Sequence, residues 1–151
     1  MSHDARLRQL NITLPDAPMP AANYVPFVQS GKLLFVSGQI AAGPEGLIRG
    51  RLGEDMDVAQ GAAAARACGL ALIAQARAAL GSLDGIARVV KLTGFVNSTP
   101  GFTDQPEVIN GCSDLMVEIF GEAGRHARAA VSAAALPRGV AVEIEAIFEI
   151  A

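Results

Sequence analysis

The chain has 151 residues, 51% hydrophobic and 18% charged, with a formal net charge of −3. That balance excludes intrinsic disorder, and a chain of this length buries roughly two thirds of its unfolded surface as one domain, without disulfides or a metal to hold its core. Only two of its twelve basic residues are lysines, and no basic run exists to track a phosphate backbone, so nucleic acid is not an expected partner.

The opening Met1–Arg8 is charged and no apolar stretch follows it, so no secretory leader is expected. Residues 4–10 have the composition of a short helix, and Leu14 to Pro20 form a proline-punctuated connector. The longest uncharged run, Ala17–Gly31, contains Pro18, Pro20 and Pro26 and is too broken to cross a bilayer, so a soluble cytoplasmic protein is expected. Tyr24–Gln29 and Leu33–Val36, joined at Ser30-Gly31, read as a hairpin. Gly43–Gly46 is a turn, and Leu47–Leu52 a candidate third strand.

Asp57 to Leu80 reads as a long helix, capped by Asp55 or Asp57 and ended by Gly81. Its apolar stripe runs through Val58, Ala62, Ala65, Gly69, Leu72, Ile73, Ala76 and Leu80. Small residues dominate it, so close approach to a neighbour is expected. Ile86–Ser98 is a long strand. A second helix runs from Gln105 to Phe120, with Asp104 as cap, Pro106 in the first turn and Gly121 as stop. Its apolar set is Val108, Ile109, Cys112, Leu115, Met116, Ile119 and Phe120. Arg128–Ala134 and Val140–Ile150 are the last strands, separated by Leu136–Gly139. Even positions of the last are all apolar, while Glu143, Glu145 and Glu149 occupy the other face.

This order predicts one α+β domain over residues 1–151, a mixed sheet with two helices packed on one face. Two helices leave the second face uncovered. Leu33 and Phe35 nevertheless oppose Leu34 and Val36, and Val89 and Phe95 oppose Val90 and Leu92, so self-association is expected to bury that face. Cys68 and Cys112 lie within the two helices and read as buried small hydrophobes.

Few residues are equipped for chemistry. The histidines are His3, in a terminus expected to be mobile, and His126. A Ser-His-Asp triad would need His126 together with a serine that the sequence does not place. No Gly-x-Ser-x-Gly elbow, no phosphate loop and no His/Cys/Asp spacing for zinc occurs, so neither metal nor cofactor is expected. Lys91 lies inside a strand and reads as an edge residue with its amine in solvent. There remain Arg128, before a strand of small residues, and Glu143. The first has the planar fork that grips a carboxylate and the second the carboxyl that orients a water. On composition and spacing alone, an ordinary ion pair or a solvated face is the preferred explanation of the pair. A simple hairpin about residues 137–138 would put Arg128 opposite Ile147, and so about 13 Å along the strand from Glu143.

The segment Ala127–Ala146, with its Arg-Ala-Ala-Val run, Leu136-Pro137 and Val142-Glu-Ile-Glu-Ala146, resembles the signature of the RidA/YjgF family. Phe35-Val-Ser-Gly-Gln39, Gly50-x-Leu-Gly53, Ala63–Arg66 and Asn110 follow the same order, and the likeness extends over nearly all the chain after Asn23. It implies a chorismate-mutase-like fold in which three subunits close their sheets into a barrel, with ligand clefts between them. It further implies hydrolysis of 2-imino and enamine acids to 2-keto acids and ammonia. On that likeness Arg128 binds the substrate carboxylate and Glu143 positions water. Ser37, Gly38 and Asn110 line the cleft, and Ala130 offers its backbone. The family's Gly-Pro-Tyr reads Val25-Pro26-Phe27 here, which puts Phe27 at the substrate but removes a phenol, unless Tyr24 replaces it from another direction. Residues 1–22 form an N-terminal extension relative to short members. A non-catalytic binder of small carboxylates on the same homotrimer is the alternative. A hydrolase of another nitrogenous intermediate ranks behind it, and RNA cleavage last, given the acidic balance.

Overall fold

The computed structural model describes residues 1–20 and 22–151. Its elements are α1 (His3–Gln9), β1 (Phe27–Ser30), β2 (Leu33–Ile40), β3 (Ala42–Gly43), β4 (Gly46–Leu47), α2 (Val58–Leu80), β5 (Ile86–Asn97), α3 (Gln105–Phe120), β6 (Ala127–Ala133) and β7 (Val142–Ile150). Local chemistry accounts for the helix ends. Asp57 and Gln60 form a reciprocal capping box at the start of α2, and Gly81 ends it in the left-handed region at φ 80°. Asp104 stands at the N-cap of α3 but makes no side-chain bond there, and Pro106 opens the first turn. The seven apolar residues that periodicity assigns to the inner face of α3 are its buried residues. Val58–Leu80 is also long and apolar enough to cross a bilayer, but 56% of its apolar window is buried inside this fold.

The main sheet has the order β1-β2-β7-β5-β6, and β3 and β4 make a separate small hairpin. β1 pairs antiparallel with β2 through Ser30↔Leu33, across Gly31 at φ 60°. β7 lies antiparallel to both β2 and β5, while β6 runs parallel to β5. The expected β6–β7 hairpin is therefore absent. β5, α3 and β6 form a strand–helix–strand crossover, whose ends pair in parallel, and β7 enters between β2 and β5. α2 carries the chain from β2 to β5 and α3 from β5 to β6, both in the same direction along the sheet. Crossovers of one hand then place both helices on the same face.

Two further expectations change. Leu47–Leu52 makes only the Gly46–Leu47 strand and isolated bridges at Arg49 and Leu52, because Gly50, at φ 150°, breaks the extended run. Val89 and Leu92 both face the core. A register shift between Val89 and Lys91 restarts the alternation and puts Lys91 on the open side. His3 is docked rather than loose. Its ring meets Phe120 edge-on at 4.9 Å, its backbone N–H donates to Asp84, and Leu7 of α1 is buried.

The core lies between the sheet and α2/α3, centred on fully buried Leu34, Leu72, Ile73, Leu92, Ile109, Leu115, Ile144 and Phe148. Its tightest approach is between the helices. A Cβ on Gly111 would overlap the backbone carbonyl of Ala62, and one on Gly69 would lie 2.9 Å from Leu115 Cδ2. Cys68 and Cys112 are free thiols at this seam, and burial pushes Cys112 up to about 12. The other face of the sheet presents Val28, Leu33, Phe35 and Val131, each more than a third exposed. Such an apolar face is usually covered.

Candidate functional site

Pairing fixes which site residues can meet. Arg128 is in register with Leu92, which pairs with Ala146, so all three lie on the helix-facing side. Glu143 pairs with Phe95, which is in register with Val131, and these lie on the open side. Arg128 on the edge strand and Glu143 on β7 are thus two strands apart, about 10 Å, and on opposite faces. They do not share a cleft within the chain. Each anchors a separate half-site.

The first half-site is built on the irregularity in β2. A register shift between Val36 and Gln39 lifts Ser37 and Gly38 out of the β7 ladder. Ser37 is fixed there: its N–H donates to Pro26 O at 2.9 Å and its Oγ to Val25 O at 2.7 Å. The Glu143 carboxylate lies against Gly38 so closely that any Cβ there would collide with Oε2. Glycine leaves room here for the carboxylate to lie against the backbone, and its torsion is not of the left-handed kind. Half-burial raises the Glu143 carboxyl above its ordinary 4.5, and the neighbouring Glu145 charge adds to the shift. Ser37, Gly38, Glu143 and Tyr24 line one cavity of about 1430 Å³. Phe27 is not among its walls and packs instead against the hydrophobic core. The aromatic residue facing this cavity is Tyr24, three positions earlier.

The second half-site is organised by α3. Asn110 and Ser113, one turn apart, present side chains to the end of β6. Arg128 Nη1 donates to Asn110 Oδ1 at 2.8 Å and to Ser113 Oγ at 3.2 Å. Ala130 follows two residues along the same face of β6 and packs partly against the core. Among the described residues no carboxylate comes within 4.0 Å of Arg128, and its Nε and Nη2 have no protein acceptor. A partly buried Arg128, its guanidinium held by one nitrogen with its remaining donors free, is set for an anionic ligand.

The serine that the sequence did not place is Ser113, whose Oγ is 2.9 Å from His126 Nε2. His126 Nδ1 is 2.6 Å from the Gly124 carbonyl, which can only accept, so Nδ1 carries the proton and Nε2 accepts from Ser113. Burial lowers the His126 pKa, against the opposing bond to the Gly124 carbonyl, and the Arg128 charge adds to the lowering, which favours the neutral ring. The third member is a carbonyl rather than a carboxylate, and Ser113 Oγ also receives Arg128. The group therefore braces the guanidinium. Only the Asn110-x-x-Ser113 spacing hinted at it in the sequence. No group of three His, Cys, Asp or Glu side chains among the described residues converges to hold a metal ion.

Residues 4–147 match the family model described as "YjgF/chorismate_mutase-like, putative endoribonuclease". The chain is 53% identical to Protein TCP17 of Trypanosoma cruzi over 148 residues, 97% of this chain and 92% of that protein. The crystal structure of Atu1372 from Agrobacterium tumefaciens, described as having unknown function, superposes with a TM-score of 0.90 at 50% identity, covering 99% of this chain and 92% of the other. A structure from Shewanella oneidensis, described as a "putative endoribonuclease", gives a TM-score of 0.94 at 33% identity and covers 99% of both chains.

Proposed function

The chain belongs to the YjgF/chorismate-mutase-like family, and from that premise we propose that it hydrolyses reactive 2-imino and enamine acids to 2-keto acids and ammonia, at a site completed by two copies of the chain in a homotrimer. The observation that carries the reading is the separation of Arg128 from Glu143 on opposite faces of one sheet. Each half-site has what the other lacks. A cation without a counter-charge waits at the edge strand, and a carboxyl beside an opened backbone waits in a cavity. In this reading a second copy, docked against the exposed Phe35/Val131 face with its edge strand β6 beside the cavity, brings its Arg128 to Glu143.

In that arrangement Arg128 of one copy grips the substrate carboxylate with its free N–H groups and holds the imine carbon in place. Glu143 of the other takes a proton from water as the oxygen attacks C2. Glu143 passes that proton to the imine nitrogen to give the neutral aminoalcohol, then carries the hydroxyl proton to the amine as the C–N bond breaks and the C=O forms, so that nitrogen leaves as ammonia. Only protons move and no redox partner is required. The imine is already electrophilic, so orientation and proton shuttling by one carboxylate suffice. The endoribonuclease descriptions of relatives find little support in this chain, with its net charge of −3 and single Tyr.

The test uses imino acids generated by an amino-acid oxidase in the presence of semicarbazide, with loss of semicarbazone as the readout. Glu143→Gln is expected to lower kcat by about 10²- to 10⁴-fold with KM little changed, as for loss of a general base. A base works deprotonated, so the wild-type rate falls as pH drops through the Glu143 pKa. Because burial raises that pKa, the acid limb lies above 4.5 and is missing in the variant. Unchanged turnover in Glu143→Gln removes Glu143 from the mechanism. If no imino acid is consumed while small carboxylates still bind, the protein is a binder on the same scaffold. Gly38→Ala is expected to displace the Glu143 carboxylate and cost about 10²-fold in kcat/KM, with the circular dichroism spectrum unchanged.

A further inference from the structure

The cavity at Glu143 is much larger than an imino acid head group needs. Its volume of about 1430 Å³ exceeds the 300–1,000 Å³ usual for small-molecule sites. Ser37, Glu143 and Glu145 are polar residues of its lining, as are Asp16 of the N-terminal segment and Arg138. The apolar part of its lining, here called the arm, comes from Leu14 and Pro18 of the N-terminal segment, from Leu47 of β4 and from Leu70 of α2; Met19 of the same segment also lines it but is 87% exposed. That segment has the marks of a built wall. Leu14 is buried, three prolines restrict its backbone, and α1 docks its beginning through buried Leu7.

A buried glutamine ties the wall to the catalytic end. Gln75 is 1% exposed in the apolar middle of α2. Its Nε2 donates to the Pro18 carbonyl at 2.6 Å and lies 3.4 Å from Gln39 Oε1. Gln39 Nε2 in turn donates to the Ser37 carbonyl at 2.9 Å. A polar side chain at such a position costs stability unless it is fully bonded, and here its partner is the N-terminal segment itself. The chain Pro18–Gln75–Gln39–Ser37 therefore holds the wall at a fixed distance from the reacting end.

We propose that this apolar arm receives the substrate side chain, so that the ligands are 2-imino acids bearing a bulky branched or aromatic group, selected by the N-terminal segment. The inference rests on the deaminase reading for the reaction, but the arm itself is testable without it. Wild-type kcat/KM for the imino acids derived from leucine and phenylalanine is expected to exceed that for the alanine-derived one by at least about tenfold, the effect of filling an apolar pocket. Ala67 also lines the cavity. Ala67→Phe should erase this preference while leaving the alanine-derived substrate within about twofold, and Ala67→Leu is the milder substitution should the larger one impair folding. Equal rates on small and bulky substrates, or a uniform loss in both variants, overturn the inference and leave the deaminase reading standing. If no imino acid turns over, calorimetry with 4-methyl-2-oxopentanoate, phenylpyruvate and pyruvate decides. Tighter binding of the bulky acids, lost in Ala67→Phe, supports the arm although the reaction is wrong, and absence of preference overturns it.

Discussion

Arg128→Ala is expected to abolish most activity on imino acids while the fold survives. The guanidinium makes two hydrogen bonds, both through Nη1, to Asn110 and Ser113. Neither partner is a carboxylate, so removing the side chain strands no buried charge. A charge-assisted contact to a ligand carboxylate contributes about 3 kcal/mol when its partner is removed, which is on the order of 10²-fold in kcat/KM. Arg128→Lys keeps the charge but not the fork and should fall between alanine and wild type. Steady-state kinetics on one imino acid, with light scattering of each variant, checks both halves of the expectation. A variant that dissociates or unfolds would make Arg128 an interface residue. Full activity in a folded variant would mean that the substrate carboxylate is held elsewhere.

The helices were the most legible part of this sequence because their signals are local. The capping pair Asp57/Gln60, the stops at Gly81 and Gly121 and the apolar spacing of α3 each act within a few residues. The connection between the last two strands was not, although the information was present. Leu136–Gly139 has turn composition, and turn composition alone suggests a hairpin. The longer pattern of β5, α3 and β6 demands a parallel pair, and that demand prevails because α3 must bury its apolar face on the same sheet. Register shifts were invisible as well. The bulge after Val89 moves Lys91 to the open face, and the one after Val36 exposes Ser37 and Gly38. Both depend on partner strands that no window of sequence contains.

The site divided in the same way. Elimination left Arg128 and Glu143, and the family likeness added Ser37, Gly38, Asn110 and Ala130, but the residues that brace the two clusters are Ser113, His126, Gln39 and Gln75. Ser113 and Gln75 lie within helical apolar patterns, where a polar residue reads as noise until its partner across the fold is known. Tyr24 facing the cavity, with Phe27 turned to the core, likewise follows from the course of the chain before β1.

Gly111→Ala should be among the most destabilising single-methyl additions in the chain. Within an isolated helix the change favours folding by about 1 kcal/mol. Here the new Cβ would overlap the Ala62 carbonyl, which is backbone of α2 and cannot rotate away. Relief requires α2 and α3 to separate along a seam that also packs Gly69 against Leu115 and Cys112. Overpacking of this kind costs typically 1–3 kcal/mol and more where backbone must move. A net loss of about 2–3 kcal/mol corresponds to a fall in Tm of roughly 4–12 °C for a domain of this size. Gly101→Ala, where a Cβ meets nothing within 4 Å, is the control and should leave Tm nearly unchanged. Gly111 is also next to Asn110 and two residues before Ser113, the two side chains that seat Arg128. Shifting α3 outward to admit the methyl moves both acceptors, so the variant should lose carboxylate affinity at temperatures well below its melting transition. Calorimetric titration with a 2-keto acid at 20 °C, set beside the melting curve, separates the two effects: lost affinity in a folded sample ties the helix seam to the ligand seat, and unchanged affinity shows that α3 absorbs the methyl without moving Asn110 and Ser113.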